Sequence, residues 1–175
     1  AGHSVDTSMG LTPLEGLVMG TRSGDVDPAV VAHLRRVAGL DAEDVDYQLN
    51  RASGLAGLAG VNDMREVYHR ADADDPAARL ALDVYCYRIR KYVGAYYAVL
   101  GTVHAVVFTA GVGQHSDELR AAALSGLYVK TIGSGGFFDG ADLRKAVTPD
   151  ESHYAATRVV ALENTDRVHH LVVCT

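Results

Sequence analysis

The sequence predicts a helix-rich α/β fold, and three observations carry that prediction. Helix signals dominate the first hundred positions, with caps and glycine stops at the ends and, over 76–100, apolar residues recurring at three- and four-residue steps, the period of an α-helix packed on one side. Near residue 103 the period gives way to VHAVVFT (103–109), a short apolar run rich in β-branched residues that reads as a buried strand. A helix pattern and further short apolar runs follow, and strand–helix–strand order implies a parallel pair with a crossover. The composition is globular: of 175 residues, 48% are hydrophobic and 22% charged, enough for one domain with a real core.

Taken in chain order, the segment 4–28 comes first and allows two readings. In one, Thr12 caps a helix over 13–21 that Pro13 initiates and that stops near Gly24, with Arg22 an ordinary cation at its C-terminal end. In the other, the dense glycines let backbone approach a ligand, and Arg22 offers a planar fork suited to carboxylate or phosphate oxygens. Residues 28–38 predict a helix with Asp27 as cap, Pro28 in the first turn and Gly39 as stop. Helices are expected over 42–50 and 62–70. The longest, 76–100, has Leu82, Cys86, Ile89, Val93, Tyr96 and Leu100 on one stripe, with Asp74 or Asp75 as cap and Gly101 at its end.

Beyond the strand at 103–109, a helix is expected over 116–123 and strands over 127–131 and 158–162. Residues 133–140 read as a glycine-rich turn region. No repeat and no linker divides the chain.

Two short segments have the composition of sites. FTAGVGQHS (108–116) reads as a glycine loop joining the end of a strand to a helix, where backbone N–H groups and a helix dipole can meet phosphate or a nucleotide. It is not the dinucleotide fingerprint, which needs glycine at position 116, and a tight strand–helix turn asks for the same glycines on steric grounds. GVNDMR (60–65) reads as a helix start with Asn62 as cap and Asp63 complementing the dipole.

Other patterns point away from chemistry. His169-His170 lacks a second cluster at ligand spacing, and Asp72-Ala73-Asp74-Asp75 lacks the glycine and terminal glutamate of a calcium loop. Tyr85, Tyr87, Tyr92, Tyr96 and Tyr97 lie on the long helix and are expected to pack. The net charge of −6 disfavours a nucleic-acid surface, and no apolar run is long enough for a membrane span. The start shows no signal-peptide pattern, and two cysteines, Cys86 and Cys174, make no disulfide framework. A reduced, cytoplasmic protein is the expectation. The chain opens on Ala1 at the edge of a motif, as a processed or partial chain would.

The string VDTSMGLTPLEGLVMGTRSGDVDP (5–28) resembles the signature of the acetate kinases, which move phosphate between ATP and acetate. FTAGVGQHSDELR (108–120) is similar to the segment of that family usually written FTAGIGENS, followed by a short polar spacer and arginine. GVNDMR is similar to a third family segment, and YRIRKY (87–92) to the family's long helix, where the side chains read as core and solvated face.

The resemblance implies an RNase H-like domain of the actin and sugar kinase superfamily. Residues 1–175 would form a single, incomplete C-terminal domain whose tail, 151–175, diverges. It implies Arg22 as the catalytic-site arginine, Pro13 in the pocket for the acetate methyl, and Asp63, Arg65, Gly111, Val112 and Gly113 at the nucleotide. Gln114 and His115 replace the family's Glu-Asn pair. The implied partners are acetate or acetyl phosphate, ATP or ADP, Mg2+ and a second copy in a homodimer, with no nucleic acid or membrane.

The family's upstream phosphate loops do not occur in this chain, and Arg167 and Val168 stand where its closing TNEE string has two glutamates, leaving the metal ligands unknown. Glu163 and Asp166 are the carboxylates nearby. The chain alone is therefore expected to be inactive. A non-catalytic nucleotide-binding or dimerisation module, and a propionate or butyrate kinase fragment, are the alternatives.

Overall fold

A computed structural model describes residues 3–127, 159–164 and 169–174. Its elements run β1 (Ser4–Thr7), α1 (Ala29–Val37), α2 (Ala42–Arg51), α3 (Gly54–Ala59), α4 (Met64–Asp72), α5 (Pro76–Leu100), β2 (Ala105–Thr109), α6 (Ala110–His115), α7 (Asp117–Leu124), β3 (Val159–Asn164) and β4 (His169–Cys174). They fall into two compact units: Met9–Arg88, and residues 3–8 together with those from Ile89 onward. Helix α5 contributes residues to both.

The unit Met9–Arg88 is helical, and capping chemistry sets most of its boundaries. Asp27 Oδ1 accepts from the Ala29 amide at 2.8 Å to start α1, and Gly39 takes a left-handed φ of +68° beyond its end. In α2 the Asp41 carboxylate accepts from Asp44 N while the Asp44 side chain accepts from Asp41 N, a reciprocal capping box. Asp63, not Asn62, caps α4. Asp75 caps α5 by accepting from Ala77 N at 2.9 Å. The core gathers Leu17, Val18 and Met19 with Val45, Leu55, Met64, Val67, Ala78, Ala81 and Tyr85.

No helix forms over 13–21. Thr12 Oγ1 accepts from Leu14 N at 3.2 Å, a local turn, and the following residues are bends whose glycines leave helical space, Gly16 at φ +105° and Gly24 at +68°. The capped-helix reading fails there because two glycines within 13–21, Gly16 and Gly20, make helix costly and other backbone partners are on offer.

Among the described residues, the second unit holds a four-stranded sheet in the order β1-β4-β3-β2. β2 and β3 run parallel, with Ala105 opposite Val159 and Thr109 opposite Glu163, and β4 pairs antiparallel with both β3 and β1. The parallel partner of β2 is thus the strand expected over 158–162. Of the strand expected over 127–131, all but Leu127 lies outside the described residues, as does the turn region expected over 133–140. β1 and β4 went unforeseen. Phe108, Ile89, Val93, Tyr96, Leu100, Leu119 and Ala123 are buried. Ser116 caps α7 by accepting from Leu119 N at 3.1 Å, as the pattern over 116–123 anticipates.

Of the tyrosines on α5, Tyr85 and Tyr96 are buried and Tyr92 meets Tyr96 with ring centroids 5.9 Å apart. Partial burial raises the Tyr97 pKa. Tyr87 departs from the packing expectation, being exposed.

Candidate functional site

The segment that carries Arg22 owes its shape to main-chain hydrogen bonds. Leu55 N donates to Met19 O at 3.0 Å, Ala56 N to Gly20 O at 2.8 Å, Ser53 N to Thr21 O at 3.0 Å and Ser23 N to Leu49 O at 3.0 Å. Thr21 Oγ1 adds a bond to Asn50 O at 2.9 Å, and Met19 N closes a turn onto Arg22 O at 3.1 Å. The stretch 19–23 is thereby seated on the end of α2 and the start of α3. With its backbone committed, a side chain on this stretch has a fixed origin, which is the preorganisation a binding arginine needs.

Two glycines make the close seating possible. A Cβ on Gly54, whose φ is +61°, would lie 2.1 Å from Met19 O and 2.7 Å from Arg22 O. A Cβ on Gly20 would lie 3.3 Å from Asn62 O, which brings the Arg22 stretch beside the start of α4. Arg22 is half-buried, and its Nη1 approaches Met19 Sδ at 3.9 Å. Pro13 is half-buried on the same loop.

Asp63 and Arg65 form a forked pair, with Arg65 Nε donating to Asp63 Oδ1 at 3.0 Å and Nη2 to Oδ2 at 2.6 Å. Asp63 Oδ1 also accepts from the Arg65 amide at 2.9 Å as the α4 cap. These bonds favour the carboxylate, and its pKa falls from 3.8 to about 2, with the Arg65 side-chain hydrogen bond as the main cause. The Arg65 side chain is 92% exposed, so this cation faces solvent at the mouth of α4.

Gly111, Val112 and Gly113 belong to the other unit. They do not form a loop: they are residues of α6, which begins directly after β2 with Thr109 as its cap residue. Gly111 is exposed and Gly113 buried, where an added Cβ would stand 3.4 Å from Phe108 Cβ. Arg120 Nη1 donates to Gly113 O at 2.6 Å, and Arg120 also pairs with Asp117. Pro13, Arg22, Asp63 and Arg65 thus share one unit, and the three residues of α6 lie in the other.

Sequence reasoning passed over Arg88, which lies in a stretch read as core and solvated face. Arg88 Nη1 donates to Asp25 Oδ2 at 3.2 Å and Nη2 to Asp25 O at 2.7 Å. The signal was present only as an acid in the signature loop and a base on α5, 63 positions apart, which no local pattern connects.

The acetokinase family model matches residues 1–165. Over 126 residues the chain is 64% identical to an acetate kinase of Streptomyces coelicolor, covering 72% of this chain and 31% of that protein. It is 56% identical over 126 residues to an acetate kinase of Desulfotalea psychrophila, with the same shares covered. The crystal structure of Porphyromonas gingivalis acetate kinase superposes with a TM-score of 0.68 at 34% identity, over 91% of this chain and 40% of that one. A propionate kinase from Francisella tularensis gives 0.66 at 42% identity, over 67% and 31%. The chain spans about a third of the length of the curated relatives it matches. With a family model covering nearly its whole length and these relatives beside it, the chain belongs to the acetokinase family.

Proposed function

We propose that the chain is the C-terminal portion of a kinase that transfers the γ-phosphoryl group of ATP to acetate, giving acetyl phosphate and ADP. The observation that carries the reading is the loop 19–23, seated by main-chain bonds, with Arg22 on it and the Asn62–Arg65 turn beside Gly20. Phosphoryl transfer is catalysed mostly by positioning and charge neutralisation, and Arg22 supplies a fixed guanidinium for the carboxylate or the transferring group. Pro13 supplies an apolar wall for the acetate methyl. Asp63, Arg65, Gly111, Val112 and Gly113 hold the nucleotide. Similarity to a propionate kinase supports a longer acyl group, propionate or butyrate, as the second reading of the acceptor.

The enzyme so read is a cytoplasmic homodimer, and residues 1–175 form one incomplete RNase H-like domain of the actin and sugar kinase type. Magnesium is the ion such a reaction uses to neutralise phosphate charge. Among the described residues no three acidic, histidine or cysteine side chains gather into a group able to hold a metal ion, so no metal ligand is assigned to this chain.

Because the chain spans a third of its relatives, it is expected not to turn over alone. A hydroxamate assay for acetyl phosphate should read background with the 175-residue chain. Calorimetry should meanwhile detect ATP or ADP binding that Arg65→Ala weakens several-fold. Formation of acetyl phosphate at an ordinary rate would overturn the incompleteness, and a chain blind to ATP and ADP would remove the nucleotide assignments. That second result would favour a pure association module, which sedimentation would reveal as a dimer.

A further inference from the structure

We infer that Asp25 and Arg88 are a positioning pair: a latch from α5 that closes the loop 16–25 and so fixes the shape in which Arg22 is presented. The pair satisfies the loop from both sides. Arg88 grips Asp25 through its carboxylate at 3.2 Å and its own carbonyl at 2.7 Å, so the guanidinium fork holds side chain and main chain of one residue together. The remaining Asp25 oxygen, Oδ1, accepts from Gly16 N at 2.8 Å, and Asp25 N donates to Gly16 O at 3.0 Å. Residues 16 and 25 are therefore tied twice across the base of a loop whose interior contains Leu17, Val18, Met19 and Arg22.

The geometry tolerates little else. Gly24, beside Asp25, has φ +68°, and a Cβ there would lie 2.7 Å from Gly16 O. Side-chain exposures of 24% for Arg88 and 34% for Asp25 place the pair partly out of water, where a charge-assisted bond outweighs its surface counterpart. Two anchors then hold the loop: the bonds to α2 and α3 on the Arg22 side, and the latch on the α5 side. What the loop presents rests on the reading of Arg22 given above; the closure itself does not.

The full chain tests this with Arg88→Met, Arg88→Lys and Asp25→Asn. Amide hydrogen exchange is followed at Gly16 and Asp25, against Leu55 and Ala56 on the other anchor, together with trypsin cleavage after Arg22. Arg88→Met should speed exchange at Gly16 and Asp25 at least about tenfold and expose the Arg22–Ser23 bond, while Leu55 and Ala56 change less than about twofold. Arg88→Lys, which keeps one donor group, should recover part of the protection, and Asp25→Asn, which keeps the carbonyl held by Arg88 and one side-chain acceptor but loses the charge, should fall between the parent and Arg88→Met.

A uniform rise at all four amides would make the pair a general stabiliser and overturn the inference, as would no change at any of them. Inorganic phosphate, followed through the Arg22 side-chain Nε resonance, separates the two levels. A shift in the parent chain that Arg88→Met abolishes supports the latch as a positioning device. No shift in the parent, with the local exchange pattern intact, leaves the latch standing and removes the anion-binding reading of Arg22.

Discussion

Gly54 shows how one absent methyl group decides where an arginine sits. Its φ of +61° is a conformation that L side chains adopt only at a cost, and its missing Cβ leaves room for Met19 O and Arg22 O. Gly39 provides the control, since it shares a left-handed φ of +68° but has nothing within 4 Å of the Cβ position. Gly39→Ala is expected to lower unfolding free energy by about 1 kcal/mol, the strain of the left-handed conformation alone. Gly54→Ala adds a backbone collision and should cost at least ~2 kcal/mol, with the Arg22 stretch displaced. Urea unfolding of both variants separates strain from collision. Equal losses would mean that the seating of Met19 and Arg22 on α3 is looser than the distances indicate.

At the scale of elements, legibility followed the locality of the cause. α1, α2, α4, α5 and α7 were readable because an Asp or Ser cap, a following glycine or an apolar stripe lies within a few residues of each boundary. α3 (GLAGLA) and α6 (AGVGQH) were not, since each carries two glycines in six residues and owes its helix to surroundings rather than propensity. β1, with a single apolar residue in SVDT and every residue exposed, is held by pairing with β4, far along the chain. The site behaved in the same way. Arg22, Asp63 and Arg65 stood out in short motifs, whereas Arg88 acts across 63 positions and was invisible until the chain folded.

The start of α4 also makes a pH prediction. The Asp63 pKa is lowered from 3.8 to about 2, so its ion pair and cap favour the folded state fully above pH ~4 and are lost as pH falls toward 2. Removing the fork with Arg65→Met should move the Asp63 carboxyl back toward 3.8, read directly by NMR titration, while leaving the cap to Arg65 N in place. Asp63→Asn should preserve more of α4 than Asp63→Ala, because the amide oxygen can still cap. A carboxyl that titrates unchanged in Arg65→Met would assign the shift to the cap alone.

For the whole molecule, the sheet order has a consequence that strand sequence does not show. β4 lies between β1 and β3, with Ser4 opposite Cys174 on one side and Val159 opposite Cys174 on the other, so the last strand joins the first to the interior. Among the described strands β1 sits at the edge, and its irregular register between Ser4 and Asp6 weakens the ladder further. Removing residues 1–7 should therefore cost only the few bonds of one edge, about 1–2 kcal/mol. Removing residues 169–175 strips partners from both β1 and β3 and should cost more than ~4 kcal/mol, with loss of the sheet signal in circular dichroism. The difference is diagnostic because both deletions remove seven residues from a chain end. Similar losses would mean that β1 and β4 contribute by local covering alone; a far larger loss for the C-terminal deletion would make β4 the strand that holds this sheet together.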